Sequence, residues 1–477
     1  MACEDLDLCY ITATQAIEAF KSKSLSPVEV MTAVIARCED VNPTVNAFTD
    51  THFERALEMA RHAERRYSTA PESVRPLEGI PVAIKDFHPI TGELTTFGSK
   101  AFRGFRAAYT APTVQRLIDA GAIVHARTTT SEFAFSGITR TPLWGDTLNP
   151  WNLNFTSGGS SGGAGVATAA GMTILADGTD GGGSIRIPAS VNGVFGYKPP
   201  FGRNPLDASH AGETLLHYGP ITRSVVDAAL MQNVMSGPHT DDICSLREKL
   251  ELPSTFEGIE GWKVGFTMDF GFMEVDKEVQ KNTMAAVEVF ESLGCTVDKV
   301  DFNWNPGSRD AWLTRWEGMF AASLEHLLPR WRFDLDPGLL RLIERGKALS
   351  STRYYKTDEI CREMYRTLGP LLEKYDVVIC PTTAVPAVKA DHDELDPSFS
   401  INGKPIPLGL GWAMTNPFNL LSQCPVASIP TGFASSGVPT GMQIIARTFD
   451  DLRVFRASAA FERAKPWQHL RPSFVKS

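Results

Sequence analysis

Several chemical signatures are missing from this sequence of 477 residues. Its eight cysteines include no C-x-x-C pair and its ten histidines no H-E-x-x-H, which argues against a disulfide framework and the common zinc motifs. The free-thiol pattern suits a reducing cytosol. Only His392, in the run 391–394, has ligand-like neighbours. We interpret that run as a solvated loop and predict no metal site.

Long apolar runs and runs of basic residues are also missing. The longest apolar stretch, Val166 to Ala176, is about half of the roughly 18 to 20 residues that span a bilayer. Residues 1–10 carry acids where a secretory signal needs a basic flank and an apolar run. We therefore expect no targeting segment and a cytoplasmic protein.

The net charge and its distribution indicate which kind of molecule the protein binds. Net charge is −9, and the basic residues are spread along the chain, which argues against nucleic acid or an anionic membrane as the main partner. A small neutral substrate fits better. A homodimer stays open as one form of assembly.

The strand and helix patterns along the sequence predict an α/β fold. Residues 80–85 form a short apolar run that reads as a buried strand and ends, unusually, in Lys85. A helical pattern over 112–120 precedes the strand-like run 122–124, and a similar strand–helix–strand pattern recurs between 262 and 297. With no repeat and no evident linker, we predict one large domain with a mixed central sheet covered by helices.

An aromatic segment follows, from Phe302 to Phe333, with few strand signals. Aromatic residues at mixed helical spacing most often pack in a core. The functional alternative is an apolar wall of a substrate pocket.

Two glycine loops carry the chemical information. The first, Thr156 to Gly165, could be a flexible linker, a phosphate cradle, or a site that presents a serine. Its residues 158–162 satisfy G-x-S-x-G, which would make Ser160 the nucleophile of an α/β-hydrolase with a histidine base. The histidines available downstream are His217, His239, His326, His392 and His469.

The second loop, Asp177 to Pro188, places three consecutive glycines before Ser184. Such glycines leave several backbone N–H groups free to converge beside the serine hydroxyl, as an oxyanion hole requires.

Together these motifs resemble the amidase signature family. The family's GGSSGG stands at 158–163, its G-[ST]-D-x-G-G-S-[IV]-R-x-P at 178–188, and its lysine strand at 79–86. Shorter similarities continue along nearly the whole chain. Thr129 and Gly181 depart from the commoner family residues, and neither position carries a catalytic side chain.

The resemblance implies a Ser–Ser–Lys triad and a single amidase domain over residues 1–477. Ser184 would attack, Ser160, held by a cis peptide bond, would relay the proton, and Lys85 would accept it. The implied oxyanion donors are the N–H groups of Gly181, Gly182, Gly183 and Ser184, and Asp180 and Arg186 would form an ion pair that frames the loop. The resemblance further implies N-terminal helices over 1–70, a signature core over 71–235 and a variable pocket segment over 300–375.

This chemistry places demands on Lys85. At its usual pKa of about 10.4 a lysine is almost entirely protonated at pH 7, so it serves as a base only if burial lowers that pKa. Alternation along the strand should turn Asp86 away from Lys85. The mechanism requires no cofactor.

The expected function is hydrolysis of a C–N acyl bond in an apolar or aromatic amide, anilide or carbamate. One alternative is the glutaminase subunit of a tRNA-dependent amidotransferase, which works with partner subunits. The other is the α/β-hydrolase-type esterase that uses Ser160.

Overall fold

The computed structural model describes residues 3–473, with side chains from residue 6 onward. Its strands are β1 Phe48–Thr51, β2 Pro81–Lys85, β3 Ile123–Thr128, β4 Arg140–Thr141, β5 Gly145–Asp146, β6 Leu175–Asp180, β7 Phe195–Lys198, β8 His217–Thr222, β9 Lys263–Phe266, β10 Thr296–Lys299, β11 Val377–Pro381, β12 Ser400–Ile401, β13 Lys404–Pro405, β14 Val426–Phe433 and β15 Pro439–Ile445.

The α-helices surround these strands. They are α1 Cys3–Cys9, α2 Ala13–Ser22, α3 Pro27–Val45, α4 Phe53–Thr69, α5 Pro112–Asp119, α6 Gly162–Ala169, α7 Arg186–Asn192, α8 Val225–Met235, α9 Lys277–Ser292, α10 Gly307–Leu324, α11 Leu328–Trp331, α12 Pro337–Lys347, α13 Ser351–Lys374, α14 Pro417–Leu420 and α15 Asp451–Ala464.

One mixed sheet organises the molecule. Its eleven strands follow the order β1-β3-β2-β6-β8-β7-β14-β15-β11-β9-β10. Strand β2 runs parallel to both β3 and β6, whereas β6 pairs antiparallel with β8. The predicted α/β class and the mixed sheet covered by helices are confirmed.

Local sequence explains the elements that lead to the site. Ser26 and Glu29 form a capping box that starts α3, with Pro27 in its first turn. All five residues of β2 are buried, so the apolar run has neighbours on both faces of the sheet. The strand therefore carries Lys85 into the interior.

Helix α6 is built from small residues because it lies close to other backbone. A Cβ on Gly163 would come within 2.5 Å of the Ala47 carbonyl oxygen and the Thr129 nitrogen. Glycine at this position allows α6 to sit against the sheet, which fixes the loop just before it.

Two expectations need correction. The predicted helices of residues 1–70 are interrupted by β1, which pairs antiparallel with β3 at the sheet edge. In the aromatic segment, Trp304, Trp312, Trp316 and Phe320 are buried, but Phe333 is 97% exposed. Phe333 follows α11 and fits neither the core nor the pocket interpretation.

The prediction that residues 1–10 contain no targeting segment lies partly outside the described range, because Met1 and Ala2 precede that range. Within the described residues, no helix is long and apolar enough to cross a membrane. The same residues contain no group of three His, Cys, Asp or Glu placed to hold a metal ion.

Candidate active site

Lys85 ends β2 with its side chain fully buried. Its Nζ lies 2.7 Å from Ser160 Oγ, 2.8 Å from Ser161 Oγ and 2.7 Å from Thr179 Oγ1. The residues come from β2, from the first glycine loop and from β6. Three hydroxyl groups therefore surround the amine.

Burial holds the pKa of Lys85 well below its usual value, although the charges of Asp177 and Asp180 oppose this effect. A neutral amine has two N–H donors and one lone pair. Three hydroxyl neighbours satisfy it fully when two accept and the third donates to the nitrogen. Ser161 suits the acceptor role, because its own hydroxyl can donate to the Thr179 carbonyl oxygen at 3.4 Å.

Ser160 is fixed through its backbone. The Gly159–Ser160 peptide bond is cis. The Ser160 carbonyl oxygen accepts hydrogen bonds from Ser131 N at 3.3 Å and Thr139 Oγ1 at 3.1 Å. A Cβ on Gly159 would lie 2.7 Å from neighbouring backbone atoms, so this close approach requires glycine.

Ser184 stands just before α7 and is 7% exposed. Its carbonyl oxygen accepts the Ser161 N–H at 3.2 Å, which ties the two glycine loops together beside Lys85. Among residues 6–473 its hydroxyl has no recorded hydrogen-bond partner. The hydroxyl is therefore available to a bound molecule.

The second loop presents fewer free N–H groups than predicted. Gly183 N–H donates to Asp180 Oδ1 at 2.9 Å, so it is already engaged. The N–H groups of Gly181, Gly182 and Ser184 have no recorded acceptor within the described residues. We therefore narrow the four predicted oxyanion donors to these three.

Asp180 and Arg186 make the contact expected of the loop-framing pair. Arg186 Nη2 lies 2.8 Å from Asp180 Oδ1 and its Nε 3.0 Å from Oδ2, with both side chains fully buried. Burial opposes ionisation of the carboxyl, but the Arg186 charge and hydrogen bonds outweigh it and hold the Asp180 pKa below its usual value. Asp180 also accepts the Ile185 N–H at 3.2 Å.

Two tryptophans from α10 pack against the second glycine loop at Gly181 and Gly182. Trp312 Nε1 donates to the Gly181 carbonyl oxygen at 2.9 Å, and its ring stacks on Trp316 with centroids 5.3 Å apart. A Cβ on Gly181 would lie 2.5 Å from Trp316, and one on Gly182 would lie 2.5 Å from Trp312. The glycines thus allow the loop to rest directly on the indole rings.

Phe87 and Trp316, which contact the site, also line an aromatic cavity of about 750 Å³. Phe87, Phe97, Phe133, Trp316 and Phe320 contribute to its wall. Phe87 has its ring centroid 5.8 Å from Lys85 Nζ, and Trp316 backs Gly181. Part of the aromatic segment therefore serves as pocket wall, and part of it as helix core.

The α/β-hydrolase alternative requires a histidine base for Ser160. Among the described residues, no histidine hydrogen-bonds Ser160. His217 is occupied with the carbonyl oxygens of Asp180 at 3.1 Å and Ser422 at 3.3 Å. The Ser160 hydroxyl contacts Lys85 instead.

Some partners in this environment are not evident from the sequence motifs. Ser161 and Thr179 contact Lys85 and lie in the two glycine loops, but the motifs do not mark them as its partners. The contact of Trp312 with the Gly181 carbonyl oxygen joins residues 131 positions apart and has no sequence signal. Asp86 does point away from the amine, towards the Thr96 N–H at 2.7 Å.

The fold and this arrangement define an amide hydrolase of the amidase signature type. The family described as Amidase matches residues 29–455, and the chain belongs to that family. It is 34% identical to an acylamidase of Rhodococcus erythropolis over 98% of both chains. It is 31% identical to a subunit of the glutamyl-tRNA(Gln) amidotransferase of Geobacter metallireducens, over 97% of this chain and 99% of the other.

A solved structure agrees with this assignment. A bacterial aryl acylamidase of the amidase signature family superposes with a TM-score of 0.90 at 34% identity, covering 96% of this chain and 97% of its own.

Proposed function

We propose that the protein hydrolyses apolar or aromatic amides, anilides or carbamates through an acyl-enzyme on Ser184. The observation that carries this proposal is the buried, neutral-favouring Lys85 within 2.7 Å of Ser160, beside a loop that holds a free serine hydroxyl and free N–H groups. A weak serine nucleophile needs such a positioned base.

In the proposed reaction Ser184 Oγ attacks the acyl carbon. Its proton passes to Ser160 Oγ while the Ser160 proton passes to Lys85 Nζ. The N–H groups of Gly181, Gly182 and Ser184 stabilise the oxyanion, each by an amount on the order of 3 kcal/mol.

The protons then return along the same path to the leaving nitrogen. The C–N bond breaks and a neutral amine departs, which matters because amide nitrogens are poor leaving groups. Water, deprotonated by the same relay, attacks the ester on Ser184 and releases the acid.

The aromatic cavity supports the proposed substrate class. Its walls carry few charged groups, and an aromatic ring buried there would gain stacking contacts with Phe133 or Trp316. The acylamidase relatives support an anilide-type substrate. The similarity to the amidotransferase subunit supports glutamine as the competing substrate.

Steady-state assays should compare uncharged anilides, carbamates and glutamine, using the purified protein alone and after addition of amidotransferase partner subunits. We expect hydrolysis of the anilides without partners and its loss in Ser184→Ala. Ser190→Ala is a matched control, because Ser190 is also buried, on the adjacent helix, and its hydroxyl has no hydrogen-bond partner within residues 6–473. Hydrolysis of glutamine but not of the anilides, and only in the presence of the partner subunits, would favour the competing function.

A further inference from the structure

A small polar cluster lies in the wall of the aromatic cavity. Ser209 and His210 stand on the segment between β7 and β8, and Tyr109 precedes α5; all three line the cavity. Asp207 lies behind them and is fully buried. The proposed hydrolysis uses the aromatic part of this wall and none of the polar groups.

The Asp207 carboxylate holds the cluster together. Tyr218 Oη donates to Asp207 Oδ2 at 2.7 Å, and the Ser209 backbone N–H donates to Oδ1 at 3.0 Å. His210 Nδ1 lies 3.2 Å from both carboxylate oxygens. The backbone N–H of His210 also donates to the Asp207 carbonyl oxygen at 2.9 Å. The His210 ring is therefore tied to a buried group through one of its two nitrogens.

The other ring nitrogen of His210 is not used within the protein. Nε2 has no recorded hydrogen-bond partner among residues 6–473, and the side chain is 27% exposed. Because Nδ1 faces the buried Asp207, the exposed edge of the ring is the one that carries Nε2. His210 thus brings to the cavity a hydrogen-bonding atom that is held in place from behind.

Phe87 connects this polar edge with the proposed base. The Phe87 ring centroid lies 5.0 Å from that of His210 and 5.8 Å from Lys85 Nζ. Phe87 and His210 both line the cavity. An aromatic substrate ring that packs against Phe87 therefore lies within reach of His210 as well.

A hydroxyl group is the substituent that fits Nε2 in either protonation state of the ring. Nε2 accepts a hydrogen bond when it carries no proton and donates one when it does. A hydroxyl group can meet both cases, because it donates and accepts. A methyl group of similar size can do neither, and it would leave Nε2 without a partner where it displaces water.

We propose that His210 is a specificity-determining residue that hydrogen-bonds a hydroxyl substituent on the aromatic ring of the substrate. This inference rests on the proposed hydrolysis of anilides, and it adds a polar contact to the substrate class that the aromatic wall supports. Asp207 is then the positioning residue, because it holds the His210 ring without facing the cavity itself.

The test compares kcat/KM for pairs of anilides that carry a hydroxyl or a methyl group at the same ring position, ortho, meta or para. The ratio within a pair does not depend on the fraction of active enzyme. Two variants of the full-length enzyme lack Nε2: His210→Asn keeps a donor for Asp207, and His210→Phe keeps the ring shape. We expect the hydroxyl-to-methyl ratio of at least one pair to fall by more than about threefold in both, through the loss of one hydrogen bond.

His326→Asn is the matched control. His326 lines the same cavity, but within residues 6–473 it has no recorded hydrogen bond or ring contact that would fix its position. Its substitution should change each ratio by less than about threefold.

A purely structural role for His210 predicts a different pattern, in which kcat/KM falls by the same factor for both members of every pair. Unchanged ratios in either folded His210 variant, or an equal fall in His326→Asn, would overturn the inference. If one His210 variant does not fold, as judged by thermal unfolding, the other decides. No turnover of any anilide by the wild-type enzyme would instead defeat the proposed function, and the inference with it.

Discussion

The contact between Gly182 and Trp312 gives the sharpest single-site perturbation of the second glycine loop, which carries the proposed oxyanion donors. In Gly182→Ala the new Cβ would lie 2.5 Å from Trp312 Cζ2, whereas ordinary contact begins at 3.4 Å. The two groups must therefore separate by about 1 Å. Trp312 is 1% exposed and is held by its hydrogen bond to Gly181 and by the stacked Trp316. We expect the loop, rather than the indole, to move.

A displacement of this size in a positioned catalytic group costs roughly 100-fold in rate. Overpacking should also lower the free energy of unfolding by about 1–3 kcal/mol. The assays are kcat/KM on an uncharged anilide and thermal unfolding. Gly104→Ala is the control, because its Cβ would meet nothing within 4 Å.

A second substitution separates the clash from other effects of the added methyl group. Trp312→Phe removes the atoms that the methyl group meets, but it also removes the hydrogen bond to Gly181. Adding Gly182→Ala to Trp312→Phe should therefore lower kcat/KM by much less than Gly182→Ala lowers it in the wild-type background. Wild-type kcat/KM and stability in Gly182→Ala would refute the reasoning that the tryptophans position this loop.

Further predictions concern the proton path and one buried acid. Lys85→Ala and Ser160→Ala should each lower kcat on the anilide by about 10²- to 10⁴-fold, measured in single-turnover assays, whereas a loss below tenfold would remove that residue from the relay. Burial raises the pKa of Glu462 to about 7, so the folded state binds more protons than the unfolded state. Stability from this group is therefore present below pH 4.5 and is lost as pH rises to about 7. Above pH 7, Glu462→Gln should raise the free energy of unfolding by at most about 3 kcal/mol and the melting temperature with it, whereas at pH 4.5 it should raise neither. An equal rise in melting temperature at both pH values would contradict this assignment.

Local sequence patterns predicted those helices and strands whose formation depends mainly on residues close together in the chain. The apolar run before Lys85 became β2, and the helical pattern over 112–120 became α5. In contrast, β1 has only four residues and exists because it pairs with β3. That pairing is not visible in residues 48–51 alone.

In the candidate site, too, some features were predictable from local sequence and others were not. The glycine and serine motifs predicted which loops meet, because long motifs in a fixed order are specific. They could not show that Asp180 occupies the Gly183 N–H, since that depends on a side-chain orientation. The contact from Trp312 to Gly181 joins residues 131 positions apart, and no local pattern encodes it.

The most direct test of the central claim is to identify the serine that becomes acylated. The wild-type enzyme would be treated with a serine-directed covalent probe and the modified peptide mapped by mass spectrometry. The account predicts an adduct on Ser184 that disappears in Ser184→Ala and persists in Ser190→Ala. An adduct on Ser160 would contradict it and restore the alternative nucleophile.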